Sequence, residues 1–104
     1  MKIRFKNSYL EKLFEGKQVP GKPKFNTEII LKFKKTVLRL MTVNNVRELK
    51  SFKGLNFEAL KGDLKGFYSV RVDKSYRLIL TLDEEGEVVI NEVLTIHDLN
   101  NHYQ

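Results

Sequence analysis

Apolar residues change their spacing along this chain, and that change restricts the fold more than any single motif. Up to Met41 they recur mainly at helical intervals, whereas from residue 57 onward they fall into short runs rich in Val, Ile, Leu and Tyr. The first half therefore predicts helices and the second half a sheet. Helices that precede a sheet must cover one of its faces, so the expected fold class is α+β: two N-terminal helices packed on an antiparallel β-sheet, as a two-layer sandwich.

The local signals fill in this outline. Residues 2–6 (KIRFK) alternate as a half-exposed strand does, with Ile3 and Phe5 on one face. Ser8 stands three residues before Glu11, the spacing of a capping box, and Tyr9, Leu10, Leu13 and Phe14 follow at helical intervals until Gly16. This predicts a helix over 8–15. The segment KQVPGKPK holds both prolines and reads as an exposed basic loop. Phe25, Asn26 and Ile30 then fit a hydrophobic staple around an Asn cap, opening a helix whose stripe is Ile29, Ile30, Phe33, Val37, Leu40 and Met41. The basic residues Lys32, Lys34, Lys35 and Arg39 fall mostly on other faces and read first as a solvated surface.

Strands are expected at 57–60, 67–72, 76–82 and 87–96. The polar breaks Lys61-Gly62-Asp63, Asp73-Lys74-Ser75 and Glu84-Glu85-Gly86 have hairpin length, which predicts an antiparallel meander. A chain of 104 residues without repeats or a linker reads as one domain over 1–104.

Composition narrows the function classes. With no cysteine and two histidines, the sequence offers no disulfide framework and no thiolate or His-rich metal site, so neither metal nor cofactor is expected. No run is long and apolar enough for a membrane span, and MKIRFK lacks the apolar segment of a secretory signal, which together predict a cytoplasmic protein without membrane contact. A formal charge of +6 favours polyanionic partners such as nucleic acid. Phosphate-binding glycine loops, G-x-S-x-G and H-E-x-x-H are all missing. What remains is a set of polar residues in the strand region: Glu58 and Lys61 near a turn, Arg71 and Arg77 in strands, and His97, His102 and Tyr103 toward the C-terminus. Arg77 stands out because it interrupts the apolar run from Tyr76 to Leu80, where charge is costly unless it faces solvent or a partner.

Leu60-Lys61-Gly62-Asp63, Gly66-Phe67-Tyr68-Ser69-Val70-Arg71-Val72 and Tyr76-Arg77-Leu78 together resemble the run found in HigB-type toxins of the RelE/ParE superfamily. There an L-K-G-D turn precedes G-x-W/Y-S-V/I-R-V and an aromatic-Arg pair. With the strand–helix–loop–helix prelude, the resemblance spans nearly the whole chain. It implies an endoribonuclease that cuts mRNA on the ribosome and is neutralised by a cognate antitoxin. Such antitoxins often carry a helix-turn-helix domain, so promoter DNA would be met only through the antitoxin.

By this resemblance Lys61 and Arg77 are the cations of the RNA cleft, with Arg71 and Lys65 as RNA contacts. Glu58 stands where HigB toxins commonly have histidine. A carboxylate among cations can accept the ribose 2′-hydroxyl proton but is a poor acid for the leaving oxygen. Two registers are open for the remaining group. Many HigB toxins end their last strand in D-Y-H, which brings His97 into register but leaves Ile96 at the tyrosine. Others end in an H-Y pair after a polar turn, as Asn100-Asn101-His102-Tyr103 does, and this second register is the preferred one. Two other readings stand beside the nuclease: a ParE-like module that binds DNA gyrase, and an inactive relative that only binds an antitoxin.

Overall fold

The computed structural model describes residues 1–101. In chain order it contains β1 (Lys2–Phe5), α1 (Ser8–Glu15), α2 (Thr27–Thr42), α3 (Val46–Ser51), a 3₁₀ turn at Lys53–Leu55, β2 (Glu58–Ala59), a second 3₁₀ turn at Gly62–Leu64, β3 (Tyr68–Arg71), β4 (Arg77–Glu85) and β5 (Asn91–Asn100). The five strands form one sheet in the order β1-β5-β4-β3-β2. From β2 to β5 the pairs are antiparallel, as the meander required, but β1 lies parallel to β5, with Ile3 opposite Leu94 and Phe5 opposite Ile96. The sheet is therefore mixed. The three helices between β1 and β2 carry the chain across the sheet to its opposite edge, a connection that a hairpin cannot make.

Alternation along the strands divides the sheet into two faces. Val70, Leu78, Leu80, Leu94, Ile96 and Leu99 face the helices and form the core with Leu10 and Leu13 of α1, Ile29, Phe33, Val37 and Leu40 of α2, and Leu49 of α3. The opposite face, bearing Ser69, Arg71, Arg77, Thr81 and Thr95, is not covered by a helix of this core.

The starts of α1, α2 and α3 are all capped by asparagine. The Asn7 side chain accepts from the Leu10 amide at 3.1 Å, so Asn7 takes the capping place expected of Ser8, which becomes the first helical residue. Asn26 caps α2 as expected, accepting from the Ile29 amide at 2.9 Å. Replacing Asn26 with alanine should destabilise the fold by about 1 kcal/mol. The check is a urea midpoint that falls while the slope stays constant. Met41 departs from the expected stripe: it is exposed, and Thr36 is buried instead, its hydroxyl satisfied by the Lys32 carbonyl at 2.8 Å.

Helix α3 lies in a stretch without a sustained pattern. It has six residues and buries one apolar side chain, Leu49, behind an Asn45 cap bonded to the Glu48 amide. At the last hairpin the expected strand limits move by several residues. The acidic run Asp83-Glu84-Glu85 extends β4 instead of turning, because Glu85 meets Lys2 at 2.8 Å and Arg4 at 2.9 Å on β1. The turn is displaced to 86–90, leaving Val88, Val89 and Ile90 exposed. Gly86 takes φ +110°, and a Cβ there would collide with the Val89 carbonyl, so only glycine fits this turn. Among the described residues, no helix is long and apolar enough to cross a membrane.

Candidate active site

The site lies on the uncovered sheet face, where β3 and β4 pair. Arg71 and Arg77 are register partners, directly opposite one another across an antiparallel pair. Like charges in this relation repel unless an anion lies near them. Together with Glu58, Asp73, Lys74, Ser75 and Asn101 they line an open cleft of about 500 Å³.

Arg77 is held in a defined pose. Its Nε donates to the Ser69 hydroxyl at 2.8 Å, and one terminal nitrogen donates to the Asn56 carbonyl at 2.7 Å. Ser69 is fully buried and sits diagonally across the strand pair, within reach of a long side chain. Asn56 adopts a left-handed conformation (φ 46°, ψ 57°) at the end of the first 3₁₀ turn, which brings its carbonyl to the guanidinium. Asparagine tolerates that region better than most residues. A guanidinium held in this way loses little freedom when it meets a phosphate, and its planar fork suits that ligand.

Glu58 pairs with Ser69 across β2 and β3, which puts its strand position next to the residue that anchors Arg77. The structure thus brings Glu58, Arg71 and Arg77 to one cleft. Lys61 and Lys65 are not among the described residues that line it. Both are exposed at the ends of the second 3₁₀ turn, beyond the last residue of β2. Among the described residues, the cations that line the cleft are Arg71, Lys74 and Arg77; β3 and β4 pair in a register that sets Arg71 against Arg77, while β2 ends before Lys61.

Of the two C-terminal registers, the one through His97 falls within the described residues. Asn101 lines the cleft, whereas His102 and Tyr103 lie outside the described residues. His97 occupies another place. The register of β5 shifts between Ile79 and Leu80, which pair with Asp98 and Ile96, and His97 is the extra residue of this β-bulge. Its Nε2 is 2.9 Å from the Thr81 hydroxyl, which donates to Asp83 at 2.8 Å. A hydroxyl has one hydrogen, so His97 is the donor in that pair and carries its proton on Nε2. The edge of Phe67 closes on its ring at 5.0 Å. His97 is thereby held in a network with Thr81, Asp83 and Phe67.

That network sets an acid limit on stability. The hydroxyls of Thr95 and Thr81, with His97 and Arg4 nearby, hold the Asp83 carboxyl below its ordinary value of 3.8. The Thr95 hydroxyl falls short of full hydrogen-bond geometry, so Thr81 is the firm partner. Asp73 is also depressed: burial alone would raise it, but the Tyr76 and Ser75 amides, Lys32 and Lys74 outweigh that effect. A depressed carboxylate stabilises the fold fully above its unfolded value, near pH 4, and loses that contribution as pH falls through the folded value. Asp83→Asn should therefore flatten the fall in unfolding free energy below about pH 4, measured by denaturant titration at stepped pH.

Several solved structures that share this fold are toxins. The chain superposes on the YoeB/ParE toxin from Agrobacterium tumefaciens with a TM-score of 0.54 at 20% identity, covering 99% of this chain and 100% of that one. On a YafQ mutant from E. coli the score is 0.56 at 16% identity, covering 97% and 92%. On the YoeB–YefM toxin–antitoxin complex from Staphylococcus aureus it is 0.53 at 22% identity, covering 99% and 98%. At these identities the likeness is one of fold. The sequence goes further: residues 3–97 match the family of RelE-like toxins of the type II toxin-antitoxin system HigB. Over 79 residues the chain is 34% identical to Toxin HigB-1 of Vibrio cholerae, covering 76% of this chain and 81% of that protein. The chain belongs to the HigB-like family of type II toxins.

Proposed function

We propose that this toxin is an endoribonuclease that cuts mRNA on the ribosome and so stops translation, and that a cognate antitoxin silences it. The observation that carries this reading is the Arg77 guanidinium, held by Ser69 and the Asn56 carbonyl in an open cleft that it shares with Arg71 and Glu58.

In the proposed reaction the ribose 2′-oxygen attacks the adjacent phosphorus and its proton passes to the Glu58 carboxylate. The phosphorane gains negative charge, which Arg77 stabilises in a pose set before substrate arrives, with Arg71 adding its charge from the facing strand. The bond to the 5′-oxygen breaks, leaving a 2′,3′-cyclic phosphate and a 5′-hydroxyl. The proton for that leaving oxygen is assigned to His102, with Tyr103 stacking on a base. This places the required positive charge on side chains rather than on a metal ion. Lys61 and Lys65 are assigned RNA contacts outside the cleft.

The antitoxin partner is supported by family membership and by the YoeB–YefM complexes among the related structures. A helix-turn-helix domain and promoter binding belong to that antitoxin. Primer extension on a translated message tests the reading. Wild-type protein should produce breaks phased to codons that are missing with Arg77→Ala. A gyrase-binding toxin or an inactive relative would leave the message intact.

A further inference from the structure

The cleft does not end at Arg71. A second groove of about 280 Å³ runs between α2 and the end of β3, and it shares Arg71 and Asp73 with the cleft. Its α2 wall carries Lys32, Lys35 and Arg39, with Thr36 between them. The spacing i, i+3 and i+7 places these three cations on one helical face. Arg39 is positioned by the Phe52 ring, with its guanidinium carbon 5.4 Å from the ring centre, and its guanidinium lies over Gly54. Lys32 is oriented by Glu28 one turn earlier, at 3.0 Å. The carboxylate in the groove, Asp73, is already engaged by the Ser75 and Tyr76 amides at 2.8 and 2.7 Å, so it serves the β3–β4 turn.

We propose that this groove is a second phosphate-binding subsite, through which an RNA strand leaving the cleft runs along α2 over Lys35 and Arg39. The inference rests on the nuclease reading for the identity of the polyanion. Continuity through Arg71 favours a strand already seated in the cleft. The lining favours RNA over a protein segment, because the exposed apolar side chains of α2, Leu31, Leu38 and Met41, do not line the groove. A protein ligand draws its affinity chiefly from apolar and aromatic anchors, whereas a nucleic-acid backbone needs cations.

The test is the salt dependence of binding of the full chain to a 2′-O-methyl oligonucleotide, which lacks the attacking hydroxyl and stays intact. For a single strand each phosphate contact contributes about 0.7 to the slope of log affinity against log salt. The double variant Lys35→Ala/Arg39→Ala should lower that slope by about 1.4. Between 50 and 200 mM salt, wild type should then lose about sevenfold more affinity than the variant. Both substitutions replace exposed helical side chains with the best helix former, and Lys35→Arg/Arg39→Lys should restore the slope.

A dinucleotide confined to the cleft should bind wild type and the double variant alike. Equal slopes for wild type and variant, or no salt-dependent binding by wild type, would overturn the subsite. So would a variant that loses poly-glutamate binding while keeping its RNA slope, since the groove would then serve an acidic protein. Loss of slope in a protein that leaves translated message uncut would retain the subsite and reject the nuclease. A protein that cuts with an unchanged slope would do the reverse.

Discussion

Arg77→Ala should slow cleavage of a translated message by about 10²–10³-fold, the loss seen when one preorganised donor to a developing oxyanion is removed. The size follows from how this guanidinium is held. Ser69 and the Asn56 carbonyl fix it in advance, so its attraction to the phosphorane is not offset by the cost of ordering a free side chain. Arg77→Lys should recover little, because an ammonium cannot reproduce the fork that bonds Ser69, Asn56 and a phosphate together. Single-turnover rates on ribosomes programmed with a defined codon measure the effect. A folded Arg77→Ala protein that cuts at the wild-type rate would remove Arg77 from the reaction.

The largest stability effect is expected at Phe33. Its ring is fully buried in the middle of α2, against the face of the sheet that carries Leu78, Leu80 and Leu94. Phe33→Ala removes the most voluminous fully buried side chain of the core and leaves a cavity that rigid neighbours fill only in part. A cost of about 3–5 kcal/mol is expected. For a domain of this size that lowers the melting temperature by on the order of 20 °C, which calorimetry or circular dichroism would record. Leu38→Ala on the exposed side of the same helix should change stability by no more than about 0.5 kcal/mol, so the pair of variants separates burial from helix propensity.

The layout of the molecule was readable where long periodic segments coincide with local punctuation. Asn26 ahead of the Ile29-Phe33-Val37-Leu40 stripe is such a case, and the alternation that turns Arg77 away from Leu78 is another. Reading failed where structure depends on partners distant in sequence. Nothing near Lys2 reveals that β1 will lie parallel to β5, because that pairing is created by the path of three helices. Glu84 and Glu85 have turn composition, yet become strand when Lys2 and Arg4 arrive beside Glu85. Helix α3 was too short for a periodic signal, although the Asn45 and Glu48 spacing marks its cap.

The site shows the same division. Arg77 and Glu58 were nominated by residue type and motif, and the structure brings both to the cleft. The motif carries Arg71 only as an RNA contact, and the strand register is what shows it as the cross-strand partner of Arg77. Ser69 and Asn56 were missed as supports for the guanidinium: one is a buried serine in a strand, the other contributes a backbone carbonyl. No residue-type pattern would have found that carbonyl. Lys61 matched the motif, but the end of β2 leaves it outside the cleft lining.

Arg71 and Arg77 stand opposite each other in one cleft, where both can meet a single phosphate. The cleavage rate of Arg71→Ala, taken beside its melting temperature, tests that claim most directly. Arg71 is exposed, so its removal should change stability by no more than about 0.5 kcal/mol. Cleavage should nevertheless fall by about tenfold or more. A variant that cuts translated message at the wild-type rate would contradict the account.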